Sequence, residues 1–167
     1  MNKLSKAIFL DRDGVINKER KDYVKNIDEL ELDPNLSDYL IQLKNLGFLV
    51  IVITNQSAIN RSLTTHENVQ SIHKYIQKVL QSKNTSIDSF YYCPHRPDEN
   101  CDCRKPKIGL LIKAKLDFQI DVKSSWFLGD SDSDIEAATL IGCKAIKINN
   151  NFSLDNAVDK ILNYNTD

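Results

Sequence analysis

Asp11 and Asp13 flank Arg12 at the end of the apolar run Ile8, Phe9, Leu10, and Gly14 follows them. Side chains two apart on an extended segment point to the same side, so this pair can face one ligand. Two carboxylates at close range repel and call for a proton, a cationic side chain or a metal between them. Oxygen-only ligation favours Mg²⁺, which keeps several waters and takes substrate phosphate into its shell. Asp130, in the stretch GDSDSD, can complete such a site, with Asp134 one helical turn further on. A solvated surface turn is the alternative reading of DRDG, because Asp and Gly are common turn residues.

Thr54 and Asn55 close a second apolar run with a hydroxyl, an amide and free backbone N–H groups, a set suited to phosphate oxygens and equally to an ordinary strand end. Arg104 and Lys105 lie in CDCRKPK, between a cysteine cluster and Pro106, where a fixed cation can grip an anion. Cys93, His95, Cys101 and Cys103 spell C-x-H-x5-C-x-C, a tetrahedral set for a structural Zn²⁺; a disulfide or free thiols are the alternatives. Cys143 reads as a buried small hydrophobe, and Trp126 as core packing. His66 and His73 read as solvated or boundary positions with no ligand role.

These groups need a scaffold, and the chain alternates strand-like and helix-like segments. Strands are expected at 7–10, 48–53, 90–92, 125–128 and 144–148. Helices are expected from Leu36 to near Gly47, after a capping box of Thr64 and Glu67, over 108–118, over 132–141 and after Ser153. That rhythm predicts an α/β fold: a three-layer, Rossmann-like parallel sheet with helices on both faces. Ligands of such sheets bind beyond the carboxyl ends of the strands, where DRDG, TNQS and GDSDSD all fall.

The chain has 167 residues, suited to a single domain over 1–167 with the zinc loop at 93–103. Lys and Arg number 22 against 23 Asp and Glu, a balance that argues against nucleic acid as the main partner. No apolar run approaches membrane length and the first residues lack a signal peptide, so a cytoplasmic protein without a membrane partner is expected, as a monomer.

DRDGVIN, TNQ after an apolar strand, a later lysine and GDSDSD, in that order, resemble the haloacid dehalogenase superfamily of phosphohydrolases. CPHRPDENCDCRKP and TNQSAINR are similar to the D-glycero-D-manno-heptose 1,7-bisphosphate 7-phosphatase family and its relatives, the histidinol-phosphate phosphatases. The resemblance covers roughly residues 6 to 148 and implies a covalent mechanism. Asp11 is then the nucleophile, forming an aspartyl-phosphate, and Asp13 the general acid and later the general base. Mg²⁺ is held by Asp11, the backbone carbonyl of Asp13 and Asp130, while Thr54 and Lys105 steady the phosphoryl oxygens and Gly14 turns the chain away.

About 40 residues separate Asp13 from Thr54 and about 50 separate Thr54 from Lys105, too few for a large cap domain beside the helices of the basic fold. An open site for a small phosphorylated sugar is therefore expected. Its selectivity falls to residues 17–24, to 55–62 with Asn55, Gln56 and Ser57, and to Arg61 and Arg104, which can grip a second phosphate. Ala58 and Ser62 stand where the heptose phosphatases usually carry Gly, and Ser131 where they carry Lys. Histidinol phosphate or another small phosphomonoester is the alternative substrate. A catalytically silent zinc-knot binding module is the alternative of a different class.

Overall fold

The computed structural model describes residues 4–164. Strands β1 (Lys6–Leu10), β2 (Phe48–Asn55), β3 (Ser89–Cys93), β4 (Trp126–Gly129) and β5 (Lys144–Lys147) form one sheet in the order β3-β2-β1-β4-β5. Every neighbouring pair is parallel. Helices α1 (Leu36–Asn45), α2 (His66–Gln81), α3 (Gly109–Phe118), α4 (Asp132–Ile141) and α5 (Leu154–Tyr164) supply the outer layers.

Central strand β1 is apolar at successive positions because both of its faces are covered. Ile8 and Leu10 join Val50, Val52 and Leu128 in a core roofed by α1, α2 and α5. Ala7 and Phe9 join Ile51, Ile53 and Phe127 in a second core roofed by α3 and α4. Burial of each such Ile, Leu or Phe side chain contributes about 1.5–3 kcal/mol, so the central strands are the most firmly held part of the fold. Trp126 is buried and meets Tyr164 edge-on at 5.3 Å, and Cys143 is buried, as their surroundings in the sequence suggest.

Two expectations change. The cap of α2 is Thr65, whose hydroxyl accepts from the Asn68 N–H at 3.1 Å, and not Thr64. The Thr64 hydroxyl instead donates to the Lys25 carbonyl at 2.6 Å, a partner far away in sequence. His73 is not at a boundary: it is 7% exposed and stacks on Phe90 with ring centroids 4.5 Å apart. His66 is exposed, with Nδ1 3.0 Å from the Tyr92 hydroxyl.

The strand order has one consequence for the site. From β1 the chain builds β2 and β3 on one side, then crosses to place β4 and β5 on the other. The carboxyl ends of β1 and β4 therefore flank the switch point, where open α/β sheets bind their ligands. Asp11 and Asp130 immediately follow those two strands. Among the described residues, no helix is long and apolar enough to cross a membrane.

Candidate active site

Asp11 continues the sheet, since its N–H donates to the Leu128 carbonyl at 3.0 Å. Its Oδ1 accepts from the Arg12 backbone N–H at 2.8 Å and pairs with Lys105 Nζ at 3.0 Å. Lys105 is 3% exposed, and its ammonium also lies 2.6 Å from Asp134 Oδ1 and donates to the Ile53 carbonyl at 2.8 Å. Burial works against the charge on Lys105, but Asp11 and Asp134 outweigh it and raise the ammonium above its ordinary pKa. The Asn55 side chain clamps the same residue's backbone, accepting from its N–H at 3.1 Å and donating to its carbonyl at 3.2 Å.

Asp134 is fully buried in the first turn of α4, where it forms a capping box with Ser131. The Ser131 hydroxyl donates to Asp134 Oδ2 at 2.8 Å, leaving Oδ1 for the lysine. Two glycines make room for these acids. A Cβ on Gly129 would run into the side chain of Asp134, and one on Gly14 into the carboxylate of Asp130. Gly14 also has φ +83°, a conformation that side chains rarely adopt.

Asp11, Asp130 and Asp134 each offer an oxygen within 4.8 Å of the others. Burial pushes the Asp11 carboxyl up to about 7, against the pull of Lys105. Burial, with the Asp134 charge beside it, pushes Asp130 up to about 6. Three carboxylates share one ammonium, and the excess negative charge suits a divalent cation with oxygen ligands.

Asp13 occupies a different setting. The chain turns at this point, with the Val15, Ile16 and Asn17 N–H groups converging on the Arg12 carbonyl, so Asp13 does not extend the strand. Arg12 Nη2 lies 3.0 Å from both Asp13 oxygens, Asn17 Nδ2 donates to Oδ1 at 2.9 Å and Gln56 Nε2 to Oδ2 at 2.8 Å. Gln56 Nε2 also donates to Thr54 Oγ1 at 2.9 Å, which ties the second strand tip to the first.

A cavity of about 350 Å³ opens above these groups, lined by Asp11, Asp13, Asn55, Arg104, Lys105, Asp130 and Ser131, together with Arg20, Lys21 and Tyr23 from the loop after β1. Thr54, Gln56 and Ser57 are buried and do not line it. Arg61 is exposed and also lies outside the lining. The residue types and spacing did not disclose Arg12 or His73 as parts of the site, nor Asn17 as a partner of Asp13 or Asp134 as the lysine's. For Asp134 there was a signal, namely its place one turn beyond Asp130.

Cys93, His95, Cys101 and Cys103 bring their ligand atoms within 4.8 Å of one another. Cys93 Sγ lies 3.1 Å from Cys103 Sγ and 3.6 Å from Cys101 Sγ, and His95 Nδ1 lies 3.2 Å from Cys103 Sγ. Three sulfurs and one imidazole nitrogen so gathered are a donor set that fits tetrahedral Zn²⁺. Arg104, next in the chain, donates from Nη1 to the His95 carbonyl at 3.2 Å, so the loop holds it at the rim of the cavity.

The family model described as polynucleotide kinase 3 phosphatase matches residues 6–160. The D-glycero-beta-D-manno-heptose-1,7-bisphosphate 7-phosphatase of Helicobacter pylori strain J99 is 39% identical over 151 residues, covering 90% of this chain and 83% of the relative. The protein of that name in Pseudomonas putida is 38% identical over 143 residues, covering 86% and 82%. The crystal structure of D,D-heptose 1.7-bisphosphate phosphatase from B. bronchiseptica, complexed with magnesium and phosphate, matches with a TM-score of 0.87 and 27% identity. That match covers 95% of this chain and 99% of the other. A sheet of this order with acids at its switch point has the fold of solved haloacid dehalogenase-like phosphatases. Within that class, the chain belongs to the D-glycero-beta-D-manno-heptose-1,7-bisphosphate 7-phosphatase family.

Proposed function

We propose that this protein, as one domain over residues 1–167, removes the 7-phosphate of D-glycero-D-manno-heptose 1,7-bisphosphate through an aspartyl-phosphate on Asp11. The observation that carries the chemistry is the buried Lys105 ammonium, 3.0 Å from Asp11 and 2.6 Å from Asp134 at the switch point. The substrate comes from the names of relatives that are 36–39% identical over most of the chain. Those names lend nothing to the histidinol-phosphate alternative or to a silent binding module.

In the first step, an Asp11 oxygen bonds to phosphorus as the bond from phosphorus to the sugar oxygen breaks, and Asp13 gives that oxygen a proton. In the second, water attacks phosphorus, Asp13 takes a proton from it, and Asp11 is released as a carboxylate with inorganic phosphate. Lys105 steadies the phosphoryl oxygens and Asn55 fixes Lys105; Thr54, expected to share that task, is buried outside the cavity lining, where Gln56 ties its hydroxyl to Asp13. Asp11, Asp130 and the backbone carbonyl of Asp13 would hold Mg²⁺, which supplies positive charge where phosphoryl transfer needs it. Asp134, already committed to Lys105 and Ser131, serves to aim the lysine.

Zn²⁺ would be held by Cys93, His95, Cys101 and Cys103, with its effect on turnover passing through the position of Arg104. The second phosphate lies toward Arg104, with Arg20 and Lys21 in the same cavity lining; Arg61 and Ser57 lie outside it. Phosphate release with Mg²⁺ tests the reading. The heptose bisphosphate is expected to exceed histidinol phosphate in kcat/KM by about 100-fold or more. Equal rates on both would refute the substrate assignment.

A further inference from the structure

Arg12 is the largest side chain that the fold buries completely, and the mechanism above gives it nothing to do. Taking a guanidinium out of water costs several kcal/mol unless its donors are met. Here they are met by two groups. Nη2 reaches both oxygens of Asp13 at 3.0 Å, Nε lies 3.4 Å from Oδ1, and Nη1 faces His73 Nε2 at 3.4 Å.

His73 is fitted to this task. It arrives from α2, 7% exposed, clamped flat against Phe90 with rings 15° from parallel and edge-on to Tyr92. Burial, reinforced by the neighbouring Arg12 charge, pushes its imidazole down to about 3, so the ring is neutral and Nε2 can accept from the arginine. A rigid ring therefore braces the guanidinium, and the guanidinium seats the carboxylate. Every contact to Asp13 from Arg12, Asn17 and Gln56 is donated to it. Such a seat suits the turn of the cycle in which Asp13 takes a proton.

We propose that Arg12, braced by His73, is a positioning residue that holds the Asp13 carboxylate in place for water attack on the aspartyl-phosphate. This rests on the phosphohydrolase reading above. In the step concerned, the water oxygen bonds to phosphorus, its proton passes to Asp13, and the bond from phosphorus to Asp11 breaks. No further reactant is needed. Arg12 is fully buried and does not line the cavity, so of the reacting groups it meets only the carboxylate that takes the proton, and its effect is confined to where Asp13 sits.

The test uses p-nitrophenyl phosphate with the Mg²⁺-loaded full chain, because nitrophenolate leaves without a proton donor and isolates the second step. Arg12→Met is expected to lower kcat by about 100-fold. KM should fall alongside, kcat/KM should stay within a few-fold, and a burst of nitrophenol should approach one per enzyme as phosphoenzyme accumulates. Arg12→Lys should recover part of the loss. His73→Phe keeps the ring stack but removes the acceptor, so it should shift the same balance by about tenfold. That variant carries the test if Arg12→Met does not fold. Loss of kcat/KM equal to the loss of kcat, with no burst, would overturn the proposal, as would unchanged kinetics in His73→Phe and Arg12→Lys. A wild-type protein that releases no nitrophenol and no phosphate from any ester would instead sink the hydrolase reading, and this inference with it.

Discussion

Two regions of the molecule gather reactive side chains, and different forces hold them. At the strand tips, sheet hydrogen bonding runs on past the strands. Asp11 donates to Leu128, Gln56 to Cys93 and Ile148 to Gly129, over two apolar cores. In the loop between Cys93 and Arg104, only Cys93 is buried. Its ties lie near the surface: Arg96 to Asp98 and Glu99, Arg104 to the His95 carbonyl, Lys107 to the Cys101 carbonyl and Asn60 to Glu99. The acids of the first region are placed by sheet hydrogen bonds and the Lys105 ammonium, with no metal ion required. The thiols of the second would depend on the proposed zinc, since that loop buries few side chains to order itself.

The sharpest attack on this contrast is Asp11→Asn. It should cut turnover by about 10⁴-fold or more. The thermal midpoint of the EDTA-treated variant should equal or exceed that of the wild type, because an uncomfortable buried carboxylate is gone. A lowered midpoint would mean that Asp11 helps to hold the strand tips together. Removing zinc with a chelator should act in the opposite sense, on order before chemistry. Hydrogen exchange should speed up across 93–104 and stay slow in β1, β2 and β4, while activity falls about 10- to 100-fold. Uniform loss of protection would erase the distinction between the two regions.

Smaller effects sharpen it further. Arg104→Ala should raise KM for a sugar bisphosphate about tenfold and leave a monophosphate nearly unaffected, as assayed by phosphate release. The titration of His73 is silent at neutral pH and shows only in acid. Its folded pKa is pushed down to about 3 from the ordinary 6.5, so the stability it contributes is whole above pH 6.5 and drains away as the pH falls toward 3. The slope is about 1.4 kcal/mol per pH unit. Urea titrations of His73→Phe should show a correspondingly flatter acid limb than the wild type, and parallel limbs would contradict the buried neutral ring.

The strands could be read from the sequence because burial on both faces demands unbroken apolar runs, and FLVIVI has no other sensible home. Helix α4 was legible to the residue, since Ser131 and Gly142 mark its ends chemically. Asp11 and Asp130 could be placed because strand ends are local and the switch point follows from strand order. What stayed hidden depends on contacts between distant segments. Thr64 and Thr65 are equally good caps on paper, and a bond from Thr64 to Lys25 decides between them. His73 falls on a helix whose buried stripe is otherwise aliphatic, and its reason for being inside lies sixty-one positions away at Arg12. Arg12 follows Asp11 into a turn, where charges are usually solvated, but the turn folds inward and buries it completely.

The sheet order also governs when this molecule becomes whole. Strand β1 pairs on one side with β2, but its other neighbour, β4, is made only after α2, β3 and α3. A nascent chain halted before Trp126 would carry Asp11 on an open sheet edge, with neither Asp130 nor Asp134 yet made. Competence is thus withheld until β4 and the start of α4 have been made, and a product truncated before α4 would be expected to be inert as well as sticky.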